Sequence, residues 1–194
     1  MALFILARHA QSTLNVEERV NGDPKVHVGL TEEGVHQARR LQLQLAQLPI
    51  DLCVHTRFQR TRQTAAIVLE GRNVPVHEEP LLDDIDVGVL EGRTYAEYRA
   101  WKRAHSRRDP FPGGESLDDT AARYARAFAG LALSSPEVVL VVCHEIPLRY
   151  AINVTAGSDS LEAPVHGVTN ATPFLFETAA IRRAAQAIEQ MAHT

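Results

Sequence analysis

The sequence predicts an α/β fold of three layers, α/β/α, with helices on both faces of a mostly parallel central sheet. Short unbroken apolar runs, ALFILA (2–7) and VVLVVC (138–143), have the composition of strands buried on both faces. Between such runs, apolar residues recur at spacings of three and four, the period of one helical face. The two patterns alternate along the chain, and parallel strands need helical crossovers to be joined. A length of 194 residues suits one domain over 1–194.

The elements follow in order. ALFILA is the first strand. After a loop containing NGDP comes a helix with Val35, Ala38, Leu41, Leu45 and Leu48 on one face. Thr31 is its N-cap, Glu32 and Glu33 suit the positive helix start, and Pro49 ends it. IDLCVH (50–55) is the second strand and 58–69 the second helix; VPVHEE is a short extended piece. TYAEYRAWKRAHS reads as helical, as does the stretch from Ser116 to about residue 131. PEVVLVVCH is the clearest buried strand, and a helix is expected to begin near Pro147. TPFLFE (172–177) is the last strand and AAIRRAAQAIEQMA the closing helix. The irregular stretches are 15–30, 80–93, 106–115 and 156–171, and in an open α/β sheet function collects where strands run into such loops.

A net charge of -4 argues against a nucleic-acid partner, since no face is basic enough to neutralise many phosphates. Cys53 and Cys143, each inside an apolar run, read as buried reduced thiols rather than a disulfide framework. No stretch approaches the ~20 apolar residues of a membrane span, and the first residues lack a signal-peptide pattern. The expectation is a cytoplasmic protein with no membrane partner; a homodimer is left open.

Three strands exit alike: the first into Arg8-His9, the second into His55-Thr56-Arg57, the late one into His144-Glu145. If these strands are parallel neighbours, the exits converge on one crevice. Arg57, Arg60 and Arg62 crowd a helix start, where the macrodipole disfavours positive charge by about 0.3–1 kcal/mol each. An anion held there by backbone N–H groups and guanidinium forks would explain them, as would a merely solvated basic end. With no HExxH or CxxC, and arginines beside the histidines, neither a metal nor another cofactor is expected.

RHAQSTLN resembles the first signature of the histidine phosphatase superfamily, which includes the cofactor-dependent phosphoglycerate mutases. LTEEGVHQA, TRFQRTRQTA, LLDDIDVGVLEG, PGGESLDD and VVCHEIPLR continue the resemblance in order. It implies a phosphoglycerate mutase-like fold and a phosphomonoesterase of the histidine acid phosphatase type, acting on a small phosphorylated metabolite. It makes His9 the nucleophile that carries the phosphoryl group and His144 the second histidine. Arg8 and Arg60 become phosphate ligands, with Asn15 and Ser12 beside them. Asp84 becomes the proton donor, with Asp83 its rival in register.

The residue types suit the chemistry. A neutral imidazole adds no negative charge as it approaches a phosphate dianion, and surrounding guanidiniums stabilise charge on the transferring group. On that logic His9 is neutral and His144 charged. Three positions depart from the family pattern: Ala10 and Glu145 stand for Gly, and Asp84 for Glu. The alternatives are a mutase-type phosphotransferase, and a non-catalytic phosphate-binding module on the same fold. Arg149, His55, Tyr98 and Trp101 read as structural, and Arg57 as either a substrate contact or a solvated charge.

Overall fold

In the computed structural model, which describes residues 2–193, strands β1 (Leu3–Arg8), β2 (Leu52–His55), β3 (Val76–Glu78), β4 (Val138–Cys143) and β5 (Pro173–Glu177) form one sheet. Its order is β3-β2-β4-β1-β5. All neighbours pair parallel except β5, which runs antiparallel along β1. The terminal residues of the 1–194 domain lie outside the described residues.

Alternation along the strands splits the core into two halves. Phe4 and Leu6 of β1, with Val139, Val141 and Cys143 of β4, face one side. They pack there against α5 (Leu117–Leu131), α6 (Glu145–Thr155) and α7 (Thr178–Ala192), through Tyr124, Phe128, Leu148, Ile181 and Ile188. Ile5, Ala7, Leu140 and Val142 face the other side, against α2 (Glu32–Gln44) and α3 (Gln59–Val68). Each of the Val, Leu, Ile and Phe side chains among them contributes about 1.5–3 kcal/mol by leaving water. The three-layer reading is what the chain adopts.

Several boundaries differ from the sequence reading, each for a local reason. A short helix α1 (Thr13–Val16) follows β1, capped by Ser12 in a reciprocal box with Asn15. Helix α2 ends at Gln44, ahead of Pro49, and Val35 points outward at 38% exposure. Helix α6 begins two residues before Pro147, directly after His144 as N-cap. Proline fits that first turn because its missing N–H would have no intrahelical partner there. Helix α4 (Tyr95–Ala104) starts from a Thr94–Glu97 capping box and buries no residue fully.

Two 3-10 turns, Pro80–Leu82 and Gly88–Leu90, break the stretch expected to be irregular. At Gly22, in the NGDP loop, a side chain would run into the Ile85 carbonyl, so only glycine lets this loop lie against the segment carrying Asp84.

Candidate active site

Because β2, β4 and β1 are adjacent and parallel, their carboxyl ends open side by side, and the three exits converge as expected. The crevice is a cavity of about 610 Å³ whose lining includes Arg8, His9, Ser12, Asn15, Arg60 and Asp84. His144 lies directly beneath it, fully buried, within 3.1 Å of Arg60 and 3.4 Å of Asp84.

His9 continues β1, its backbone N–H bonded to the Cys143 carbonyl (2.9 Å). Its Nδ1 lies 2.7 Å from the Ala10 carbonyl. A carbonyl only accepts, so Nδ1 carries the proton and Nε2 the lone pair. Nε2 faces Arg60, whose Nε donates to it at 3.0 Å. Burial, then the Arg60 and Arg8 charges, hold the His9 pKa well below the ordinary histidine value. His9 is therefore a neutral imidazole with a fixed tautomer.

Ala10 fits without distortion. It is fully buried among the β1, α2 and α3 side chains, and its N–H donates to Thr64 Oγ1 at 3.0 Å. Its φ is not positive, so the backbone makes no demand for glycine.

Arg60 projects from the first turn of α3 and is only 3% exposed. Its Nη2 donates to Asp84 Oδ2 at 3.1 Å and the Asn21 carbonyl at 3.2 Å, and its Nη1 to Asn21 Oδ1. The other arginines of that helix start go elsewhere. Arg57 pairs with Asp83 (2.5 Å), and Arg62 is exposed. Only one of the three serves the cavity.

His144 Nε2 lies 2.8 Å from Thr56 Oγ1. Thr61 donates its hydroxyl hydrogen to the Phe58 carbonyl (2.8 Å), so it accepts from Thr56. Thr56 in turn accepts from His144 Nε2–H. That leaves the Nδ1 lone pair of His144 toward Arg60 and Asp84. Burial, then the Arg60 charge, lowers the His144 pKa well below its ordinary value. The expectation of a charged His144 is corrected for the free protein: burial and the neighbouring Arg60 charge disfavour a second buried cation there, even with Asp84 3.4 Å away.

Between the two aspartates the geometry decides. Asp83 is tied to the Arg57 backbone N–H and guanidinium, and lines a separate cleft. Asp84 sits on the cavity wall, Oδ2 toward Arg60 and His144, Oδ1 accepting the Ile85 N–H (3.1 Å). Burial raises its pKa, against the lowering pull of Arg60.

Glu145, which stands where the family pattern has Gly, turns to Arg8: its Oε2 pairs with Arg8 Nη1 at 2.7 Å. Arg8 Nη1 also donates to the Val168 carbonyl (2.7 Å), while its Nε is buried without a hydrogen-bond partner among the described residues. Asn15 donates from Nδ2 to the Tyr95 hydroxyl (3.1 Å) and accepts from Ser12 N–H, so Ser12 and Asn15 build the α1 cap as well as the wall.

Sequence reasoning missed Asn21, Glu91 and Thr56. Glu91 holds the loop by accepting from Asn21 Nδ2 (2.8 Å) and from the N–H groups of Gly22 (2.7 Å) and Asp23 (3.0 Å). The only signal for Asn21 was its place in NGDP. It also missed an outer wall: Arg19, Arg99, Lys102 and Arg103 line the cavity mouth. Lys102 pairs with Glu162 at 3.5 Å, whereas Arg99 and Arg103 have no ion-pair partner among the described residues. Tyr98 and Trp101 stack on Phe111, as a packing face should, though Tyr98 also reaches the cavity. His55 is structural, its ring bonded to the Thr56 carbonyl, and Arg149 is tied to the His166 carbonyl and Glu162. Among the described residues no group of three or more His, Cys, Asp or Glu is arranged to hold a metal ion, and no helix is long and apolar enough to cross a membrane.

A family model described as the histidine phosphatase superfamily (branch 1) matches residues 4–191. The human protein named 6-phosphofructo-2-kinase/fructose-2,6-bisphosphatase 4 is 33% identical over 88% of this chain, which spans 37% of that relative. A protein from Methylobacterium radiotolerans named 2,3-bisphosphoglycerate-dependent phosphoglycerate mutase is 31% identical, over 90% of this chain and 88% of its own. Among solved structures, a putative alpha-ribazole-5'-P phosphatase from Escherichia coli superposes with a TM-score of 0.80 at 26% identity, covering 90% and 89% of the two chains. A mycobacterial glucosyl-3-phosphoglycerate phosphatase superposes at 0.71 with 25% identity, over 90% and 89%.

Proposed function

The chain belongs to the histidine phosphatase superfamily, branch 1, and from that premise we propose that it is a metal-independent phosphomonoester hydrolase working through a phosphohistidine. The observation that carries the reading is the unprotonated Nε2 of a neutral His9, its lone pair turned toward Arg60 at 3.0 Å, with Asp84 bonded to the same guanidinium.

In this reading the phosphoryl group sits on Arg60, the open edge of Arg8, Asn15 and His144, with Ser12 shaping the turn that presents Asn15. His9 Nε2 attacks phosphorus and the bond to the leaving oxygen breaks. Asp84, kept toward its protonated form by burial, gives that oxygen its proton. Water then attacks the phosphohistidine, with Asp84 taking the water's proton, and inorganic phosphate leaves. Guanidinium charge preorganised in a buried site supplies most of the stabilisation. His144, neutral in the free protein, turns its Nδ1 toward the group being transferred. It takes up a proton as the phosphate dianion enters.

The outer wall supports a substrate with a second anionic group. Arg99 and Arg103, with no ion-pair partner among the described residues, and Arg19 line the same cavity as the phosphoryl site. The compounds in two relatives' names, a fructose 2,6-bisphosphate and the 2,3-bisphosphoglycerate on which a mutase depends, are of that kind. The free, buried Cys53 and Cys143, their thiols pushed up to about 12, suit a reducing cytoplasm.

The test is a panel of phosphate esters with phosphate release as readout, with and without chelator. Release insensitive to chelator, with acid-labile label on the protein, is expected. Isomerised ester without free phosphate would instead indicate the phosphotransferase reading that the mutase relatives keep open.

A further inference from the structure

Glu145 is a carboxylate paired with Arg8, one of the arginines of the proposed phosphoryl site, and the reaction above does not use it. It is the first residue of α6, immediately after His144, so its backbone cannot leave the cavity floor without moving that histidine. Its Oε2 lies 2.7 Å from Arg8 Nη1, and its Oε1 lies 3.7 Å from Arg149 Nη1. Arg149 is already held by Glu162 (2.9 Å) and the His166 carbonyl (2.9 Å), which leaves Arg8 as the close partner.

Arg8 in turn spends Nη1 on Glu145 and on the Val168 carbonyl. Its Nε is buried and has no hydrogen-bond partner among the described residues. The Nε–Nη2 edge is thus the fork left for an anion, and Glu145 remains bonded to the opposite corner of the same guanidinium. A bound phosphate and this carboxylate would then share one cation across its width.

We propose that Glu145 is a specificity-determining residue: a fixed carboxylate that cancels part of the Arg8 charge and keeps affinity for bare phosphate low. Inorganic phosphate, the product, leaves readily, and esters are retained for the contacts that their leaving groups make. Like charges a few ångströms apart in a partly buried site cost enough to change binding by about tenfold or more. The inference rests on the reading of this floor as a phosphoryl site.

Calorimetric titration with inorganic phosphate and with orthovanadate tests it on the folded protein, without turnover. Glu145→Gln and Glu145→Ser, which remove the charge differently, are both expected to bind about tenfold tighter than wild type. Glu145→Asp, which keeps the charge, is expected within about twofold. Unchanged or weaker binding in the uncharged variants overturns the proposal, because Glu145 would then serve to position Arg8. Tighter binding in Glu145→Asp as well overturns it too, since space rather than charge would be responsible. A wild type that binds phosphate yet releases none from any ester defeats the hydrolase reading alone, and the variants still decide Glu145. No binding in any form defeats both.

Discussion

The floor and the outer wall of the cavity are built on opposite terms. On the floor, His9, Arg60 and His144 are almost fully buried, and each polar atom facing inward is fixed by a named partner. On the wall, Arg99 and Arg103 stand exposed on a helix that buries no residue fully, with no ion-pair partner among the described residues. Buried groups must be satisfied or they cost several kcal/mol, so the floor tolerates few solutions. Exposed cations carry no such constraint, so the wall can change to suit a substrate. On the proposed reading, the difference gives the reaction to the floor and contacts with the leaving group to the wall.

The severest test of that division is His9→Ala. Turnover is expected to fall below detection and acid-labile phosphate on the protein to disappear, while phosphate binding survives through Arg8 and Arg60. Turnover retained on any ester would break the comparison, since the floor would not own the chemistry.

Asp84→Asn comes next, with an expected loss of about 100-fold or more on alkyl phosphates and far less on aryl phosphates with good leaving groups. The pH profile sharpens it. A general acid must be protonated, so kcat/KM for alkyl esters should fall as pH rises through the raised Asp84 pKa. His9 must be neutral, so the acidic limb should lie below the ordinary histidine range. The Asn variant should lose the basic limb and keep the acidic one; equal losses on both ester classes would move the acid elsewhere.

The smallest effect belongs to the wall. Replacing Arg99 and Arg103 with Ala together should raise KM about tenfold for esters with a second anion, at roughly 1.4 kcal/mol. A simple alkyl phosphate should be unaffected. A drop in kcat for every ester alike would mean that wall and floor are not separable.

The same division explains what was legible. The strands and their exits announce themselves locally: an apolar run, then Arg8-His9 or His144-Glu145, with neighbouring strands bringing the exits together. Arg60 was marked by charge crowding at a helix start, although that signal did not separate it from Arg57 and Arg62. Asn21, Glu91 and Thr56 gave no comparable sign. Their bonds join residues 39, 70 and 88 positions apart, and nothing within a few residues of either end encodes them. Arg99 was hidden by its surroundings: TYAEYRAWKRAHS shows a packing face through Tyr98 and Trp101, and only the placement of α4 beside the cavity reveals what its other side meets. Glu145 was visible as an oddity, but its partner was not, because Arg8 ends β1 while Glu145 opens α6, 137 residues later.

The stretch before β5 is sewn to the exit of β1. Asn170 donates to the His9 carbonyl at 2.7 Å, Ala171 N–H to the Arg8 carbonyl at 3.0 Å, and Arg8 reaches the Val168 carbonyl. In the chain His9 precedes Asn170 by 161 residues. A nascent chain therefore carries His9 through the synthesis of those intervening residues without this clasp, which closes only once the segment leading into the antiparallel edge strand has been made.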